Sequence, residues 1–174
     1  MSYQDFQEIE NTIWIEHMFD TMDIPFPPKS DYFKIAIEVE DFIAPKIKSD
    51  YPNIIETVKL LYKEGYTINT ASGANSRLLN LYLNGMDIRE CFTTLYGSDL
   101  INTMKVSKEY YMKIFTREAL NPENVIIIDD SVKMLTMAKQ LGANVIHSCV
   151  KGSKPEFDYF YLESKDLPRV ISKF

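Results

Sequence analysis

Asp129 and Asp130 stand side by side directly after four apolar residues, in "NVIIIDDS". Their negative charges repel each other, so the pair needs a physical reason. A divalent cation is one reason, because Mg²⁺ is held by carboxylate oxygens. A helix cap is another, since Asp130 and Ser131 stand where the next helix begins. A cap accounts for only one of the two acids, so the pair also predicts a metal site at Asp129 and Asp130.

Two further segments carry groups that suit an anionic ligand. In "INTASGANS", Thr70 and Ser72 offer hydroxyls, and Gly73 lets backbone amides approach a ligand just ahead of a helix, an arrangement that favours phosphate. Lys105, in "TMKVSKEYY", adds a cation ahead of the next helix. Taken singly, Thr70 is explained as a turn hydroxyl and Lys105 as a surface charge, with Lys108 as its rival for any role. Together, a hydroxyl, an ammonium and a carboxylate pair indicate a site for phosphate and magnesium.

The elements that position these groups follow from the hydrophobic pattern after Pro52. Helical patterns alternate there with short apolar runs, which predict strands at "YTINTAS", "TTLYGS", "NVIIID", "NVIHS" and "FDYFYL". Strands that are apolar on both sides and alternate with helices predict an α/β fold with a doubly wound parallel sheet. Ligands bind beyond the carboxyl ends of such strands. Thr70, Lys105 and Asp130 are therefore expected to converge at one edge of a single sheet.

The N-terminal part has a different pattern. Apolar residues from Tyr3 to Met22 fall at helical spacing, and the prolines of "DIPFPPKSD" then end that helix. A second periodic run follows, in which Phe33–Val39 fits a helix and also alternates like a strand. The predicted organisation is a helical segment at 1–51 and an α/β core at 52–174.

Composition limits the partners. The chain has 174 residues, 45% apolar and 25% charged, enough for one real core. A net charge of -6 argues against nucleic acid and anionic membranes, which require a basic surface. The N-terminus carries acids where a signal peptide needs a basic start, so a cytoplasmic location is predicted. A small molecule or a protein is the expected partner.

The order of "TINTAS", "KVSKEYY" and "VIIIDDS" resembles motifs two, three and four of the haloacid dehalogenase (HAD) superfamily, whose members have a Rossmann-like core. The resemblance covers roughly 52–174, and the segment before it resembles the helical cap of many members. It implies a magnesium-dependent hydrolase, a phosphatase of small phosphorylated metabolites. Thr70 and Lys105 would be catalytic, and Ala71 and Ser72 would join them in binding phosphate. Asp129 and Asp130 would hold Mg²⁺, with Asp130 as the principal acid.

The resemblance lacks its first motif. Family members end their first strand in a D-x-D sequence whose first aspartate attacks phosphorus, and no such sequence follows an N-terminal apolar strand here. Glu38-x-Glu40 is a poor substitute, because glutamate is one methylene too long for an in-line nucleophile. Two hypotheses remain open. The chain is either a HAD-like phosphatase impaired by the missing motif, or a catalytically inactive HAD-like protein that binds a ligand or partner.

The missing strand also poses a structural question. In this family it lies between the strand ending near Thr70 and the strand ending at Asp129, and unpaired backbone groups there are costly. The two flanking strands could pair directly, the Phe33–Val39 segment could fill the place, or a neighbouring chain could supply a strand in a homo-oligomer.

Overall fold

The computed structural model describes residues 3–48, 50–149, 154–161 and 166–174. The α-helices in these ranges are α1 Tyr3–Thr21, α2 Tyr32–Ile43, α3 Ile54–Lys63, α4 Ser76–Gly85, α5 Lys108–Arg117, α6 Val132–Gln140 and α7 Leu167–Ile171. The strands are β1 Ile68–Ala71, β2 Phe92–Tyr96, β3 Ile126–Asp129, β4 Asn144–Cys149 and β5 Asp158–Tyr161. From α3 to β4, helices and strands alternate as the sequence predicted.

The strands form two parallel sheets. β1 pairs with β2, and β3, β4 and β5 form the second sheet in that order. The α/β fold with parallel strands is confirmed, whereas the expectation of one continuous sheet is wrong. Ile68 of β1 and Ile126 of β3 pack against the same apolar cluster, yet within the described ranges the two strands are not paired. We call the space between the edges of β1 and β3 the inter-sheet gap; direct closure of these strands does not occur.

Helices cover both faces of the three-stranded sheet, because neighbouring residues of a strand point to opposite sides. On one face, Ile146 and Phe160 pack with Leu61 of α3 and Val170 of α7. On the other face, Val145 packs with the buried residues of α5 and α6. Burial of each large apolar side chain contributes about 1.5–3 kcal/mol. The sheet is therefore held by its helices in the doubly wound arrangement that the pattern predicted.

The ambiguous run Phe33–Val39 is helical and lies inside α2. Tyr32 and Ala36, four residues apart, share the buried face of α2 and pack with Ile15 of α1. This helical contact outweighs the alternating pattern of the run, so the strand interpretation is wrong. Glu38 is exposed on α2 and does not end a strand. The Glu38-x-Glu40 substitute for the nucleophile motif is accordingly excluded.

Two contacts attach α2 and the turn after it to α4. Arg77, in the first turn of α4, binds the carboxylates of Glu40 and Asp41. At the other end of α4, Gly85 lies against the backbone of Pro45, where a Cβ atom would collide with the Pro45 carbonyl. The N-terminal segment therefore contacts the core through both ends of one helix.

The division into a cap-like segment at 1–51 and a core at 52–174 stays a prediction. Among the described helices, none combines the length and the apolar character that crossing a membrane requires.

Candidate functional site

The end of β1 carries the predicted phosphate-binding residues, and their donors face a backbone carbonyl. The Thr70 Oγ1 atom lies 3.3 Å from the Tyr96 carbonyl oxygen, and the Ser72 amide nitrogen lies 2.9 Å from the same oxygen. The Ser72 hydroxyl in turn accepts a 3.1 Å hydrogen bond from the Ala74 amide. Hydrogen bonds therefore hold the segment from Thr70 to Ser72 at the carboxyl end of β1. Of these three hydrogen bonds, the one from the Thr70 hydroxyl is the longest.

Lys105 links the ends of the two sheets. Its Nζ atom donates to the carbonyl of Ala71, at 2.6 Å, and to Oδ2 of Asp129, at 2.5 Å. The side chains are mostly buried, with 16% of Lys105 and 6% of Asp129 exposed. The rival Lys108 is exposed at the start of α5. The structure therefore favours Lys105 over Lys108 for a role at the site and places it at the carboxyl ends of β1 and β3.

The two adjacent acids have different environments. Asp129 is buried, pairs with Lys105, and accepts a 2.8 Å hydrogen bond from the Ser131 amide. Asp130 is exposed in the turn after β3. The N-cap of α6 is Ser131, whose hydroxyl accepts from the Met134 amide at 3.4 Å. A capping role for Asp130 is therefore wrong, and the sequence motif that suggested it belongs to Ser131.

A metal site built from protein ligands alone would be incomplete. In the ranges that the structure describes, no group of three histidine, cysteine or acidic side chains could hold a metal ion. Asp129 and Asp130 supply carboxylates from consecutive positions. Mg²⁺ commonly uses one or two carboxylates and completes its shell with water and phosphate. Carboxylate oxygens are the donor type that Mg²⁺ takes, and Asp130 is the more accessible of the two acids. Magnesium binding by the pair stays a prediction.

Sequence reasoning missed two buried tyrosines next to Lys105. Tyr110 and Tyr111 are both 0% exposed in the first turn of α5. The Tyr110 hydroxyl lies 3.0 Å from the carbonyl oxygens of Ser72 and Tyr96. Burial is the main cause that raises the pKa of both phenols, and the Asp129 carboxylate raises the pKa of Tyr111 further. Both phenols stay protonated at neutral pH, so Tyr110 acts as a donor to the backbone around the site.

Asp99 was also missed, and it fixes the start of α4. Its carboxylate accepts from the Ser76 amide at 2.8 Å and from the Ser76 hydroxyl at 2.5 Å. An acid at a helix N-terminus satisfies free amides and matches the helix dipole. The cue in the sequence was an acid shortly after the strand "TTLYGS", which resembles many surface acids and is uninformative without the fold.

An apolar cavity of about 590 Å³ lies between helices α3 and α4 and the sheets. Phe92 of β2 and Ile128 of β3 both line it, so the cavity reaches both sheets. Val58 of α3 and Leu83 of α4 form part of its wall. Ile128 is 39% exposed although it lies in a strand. The exposed side chain of Ile128 therefore adds an apolar surface to this cavity.

Comparison with known proteins supports the same assignment. The family model described as haloacid dehalogenase-like hydrolase matches residues 7–148. The (S)-2-haloacid dehalogenase 4A of Burkholderia cepacia is 24% identical over 111 residues, which cover 64% of this chain and 48% of that protein. Enolase-phosphatase E1 of Aquifex aeolicus is 26% identical over 124 residues, covering 69% of this chain and 55% of that protein. This chain thus spans about half the length of these curated relatives.

A solved structure shows the likeness of the fold. The crystal structure of a HAD phosphatase from Thermococcus onnurineus superposes with a TM-score of 0.66 at 18% identity, covering 90% of this chain and 69% of that one. At this level of identity the superposition speaks for the fold alone. The family model covers most of the chain, and the motif order and parallel α/β architecture agree with it. The chain belongs to the haloacid dehalogenase-like hydrolases.

Proposed function

We propose that this chain carries the phosphate-binding and magnesium-binding part of a phosphatase that acts on small phosphorylated metabolites. The observation that supports this most strongly is the position of Lys105, whose ammonium joins the carboxyl ends of two parallel strands beside Asp129. A buried cation at the ligand-binding edge of a parallel sheet suits a phosphate dianion.

The chemistry of each residue follows from its environment. Lys105 would offset negative charge on the phosphoryl oxygens, and its two existing partners hold its ammonium in place. Thr70 would donate its hydroxyl to a phosphoryl oxygen, because its hydrogen bond to Tyr96 is long and weak. Asp129 and Asp130 would hold Mg²⁺, which polarises phosphoryl oxygens and stabilises charge in the transition state. The net charge of -6 makes such a cation more important for attracting an anionic substrate.

Neither of the two adjacent acids acts as the nucleophile in this proposal. Asp129 is engaged with Lys105 and with the Ser131 amide, and exposed Asp130 is reserved for the cation in this proposal. A strand in the inter-sheet gap could place a carboxylate beside Lys105, because the carboxyl ends of parallel strands meet at one edge. We therefore propose that the 174-residue chain binds phosphate but does not hydrolyse phosphomonoesters at an enzymatic rate.

Magnesium binding is tested by thermal unfolding with and without MgCl₂ at millimolar concentrations, in the presence of inorganic phosphate. We expect magnesium to raise the Tm, because a ligand that binds only the folded state stabilises it. Asp130→Asn should abolish the increase, whereas Asp20→Asn, which alters an exposed acid on α1, should retain it. A wild-type protein without a magnesium-dependent increase would contradict the metal site.

Hydrolysis is tested with p-nitrophenyl phosphate and magnesium. We expect the wild-type chain to hydrolyse this substrate no faster than the Lys105→Ala, Asp130→Asn double variant does. Robust turnover that disappears in the double variant would show that the chain already contains its nucleophile. A second arm adds an N-terminal segment of apolar residues ending in Asp-x-Asp. Gain of turnover in this extended chain, and its loss in the double variant, is the result expected of a phosphatase core.

The alternative is a catalytically inactive HAD-like binding protein, which is compatible with the engagement of Asp129 by Lys105 and the Ser131 amide. The two hypotheses differ in the extended chain. An inactive protein would bind phosphate or a partner but gain no turnover when the segment is added. A protein that also binds no phosphate, with or without magnesium, would contradict the phosphatase proposal entirely.

A further inference from the structure

The carbonyl oxygen of Tyr96 is approached by more donors than it has lone pairs. The Ser72 amide lies 2.9 Å from it, the Tyr110 hydroxyl 3.0 Å and the Thr70 hydroxyl 3.3 Å. A carbonyl oxygen has two lone pairs, so these donors compete. Hydrogen bonds weaken with distance, and the longest of the three belongs to Thr70.

Tyr110 is held firmly in this competition. It is 0% exposed, and its hydroxyl also lies 3.0 Å from the carbonyl oxygen of Ser72. Its ring contacts that of Tyr111 edge to face, with centroids 5.5 Å apart. The phenol therefore has no open route away from the two carbonyls. The Ser72 amide is similarly fixed by the backbone, which leaves Thr70 as the donor that can rotate about χ1.

We propose that the Tyr110 hydroxyl is a positioning group that keeps the Thr70 hydroxyl available to a phosphate oxygen. In this proposal the single proton of the Tyr110 hydroxyl is directed at the Tyr96 carbonyl rather than at the equidistant Ser72 carbonyl, and it prevents Thr70 from forming a strong hydrogen bond there. The Thr70 proton can then turn to an oxyanion at the end of β1. This inference rests on the proposed phosphate-binding function and concerns how tightly the same site binds a phosphate dianion.

Removal of the Tyr110 hydroxyl should weaken phosphate binding through Thr70. In Tyr110→Phe the Tyr96 carbonyl loses one donor, and Thr70 becomes the side chain best placed to replace it. A hydrogen bond to a charged group would then compete with an internal one, and we expect phosphate affinity to fall about tenfold. The same substitution lowers stability if Tyr110 is purely structural, so stability alone does not discriminate.

Tyr111→Phe is the matched control. Tyr111 is the adjacent residue and is equally buried, and its hydroxyl lies near the Asp129 carboxylate instead of the Tyr96 carbonyl. The control removes the same atom from the same helix turn and leaves the Tyr96 carbonyl untouched. We expect Tyr111→Phe to lose less phosphate affinity than Tyr110→Phe, because it leaves the hydrogen bonds of Thr70 unchanged.

The experiment is calorimetric titration of inorganic phosphate, in the presence of magnesium, into the full chain. The variants are Tyr110→Phe, Tyr111→Phe, Thr70→Val and the Tyr110→Phe, Thr70→Val double variant. Tyr110→Phe and Thr70→Val should each weaken binding, and the double variant should be no weaker than Thr70→Val alone, because both act through one hydroxyl.

Several outcomes would overturn the inference. If Tyr110→Phe binds phosphate like the wild type, the positioning role is absent. If the losses of phosphate-binding free energy in the two single variants add up in the double variant, Tyr110 acts on the site independently of Thr70. The inference then also fails. In both cases wild-type binding leaves the proposed function standing. A wild type that binds no phosphate would overturn both the proposed function and the positioning role.

Discussion

The buried ion pair of Lys105 and Asp129 should show strong energetic coupling. Lys105→Met keeps most of the side-chain volume but leaves the Asp129 carboxylate, 6% exposed, without its cation. Removing one partner of a buried pair typically costs 3–5 kcal/mol. Asp129 retains the Ser131 amide as a donor, so we expect the lower end, a loss of about 3 kcal/mol in the free energy of unfolding.

The reverse substitution should cost less. In Asp129→Asn the amide oxygen can still accept from Ser131, and Lys105 retains the Ala71 carbonyl. Lys105 is also 16% exposed, so water can reach it and reduce the cost of an unpaired ammonium. We expect a loss of about 2 kcal/mol.

The double variant Lys105→Met, Asp129→Asn removes both charges and should be about as stable as Asp129→Asn. The coupling energy from this double-mutant cycle should therefore be about 3 kcal/mol. The measurement is urea unfolding followed by circular dichroism, at low and at high salt. Screening is weak for buried pairs, so the coupling should persist in salt. Additive losses, or a coupling that salt abolishes, would show that the pair is open to solvent and that the described burial is wrong.

Three further predictions concern the framework around the site, each measured by chemical unfolding. Arg77→Ala removes the ion pairs to α2 and should cost about 1 kcal/mol, since the guanidinium is only partly exposed; an unchanged stability would mean that α2 is held by other contacts. Gly85→Ala should cost about 1–3 kcal/mol because its Cβ would collide with the Pro45 backbone. A Cβ atom added at Gly73 has none of the described atoms within 4 Å. If Gly73→Ala lowered stability as much as Gly85→Ala, the result would contradict the packing at Gly85. Ser131→Ala removes the N-cap of α6 and should cost about 1 kcal/mol, and a neutral result would reject the cap.

Much of the fold could be predicted because it depends on neighbours along the chain. The alternation of helices and strands after Pro52 follows from hydrophobic periodicity, which acts over three or four residues. The predicted strand "YTINTAS" contains the described strand Ile68–Ala71, and the predicted strand "NVIIID" ends with the described one at Asp129. The polar groups at those ends could therefore be named, although they lie on two sheets that Lys105 joins. The order of the HAD-like motifs could also be recognised from the sequence, because each motif is a short local pattern.

The sequence pattern could not decide between helix and strand at Phe33–Val39. Both periodicities are present in those residues, and the contact that selects the helix lies elsewhere, in the packing of Tyr32 and Ala36 against Ile15. Local preference is weak compared with such tertiary packing. The roles of Tyr110 and Asp99 were hidden for a related reason, since their partners lie across the fold.

The sequence by itself determined the order of elements and the residue types at the strand ends, because these depend on local periodicity and chemistry. Only the tertiary structure decided which acid of the pair is buried, which lysine reaches it, and that β1 and β3 remain unpaired. The Lys105 ammonium meets Ala71 and Asp129 from three separate segments of the chain. These contacts depend on how the sheets and helices pack in space. No local pattern in the sequence predicts them.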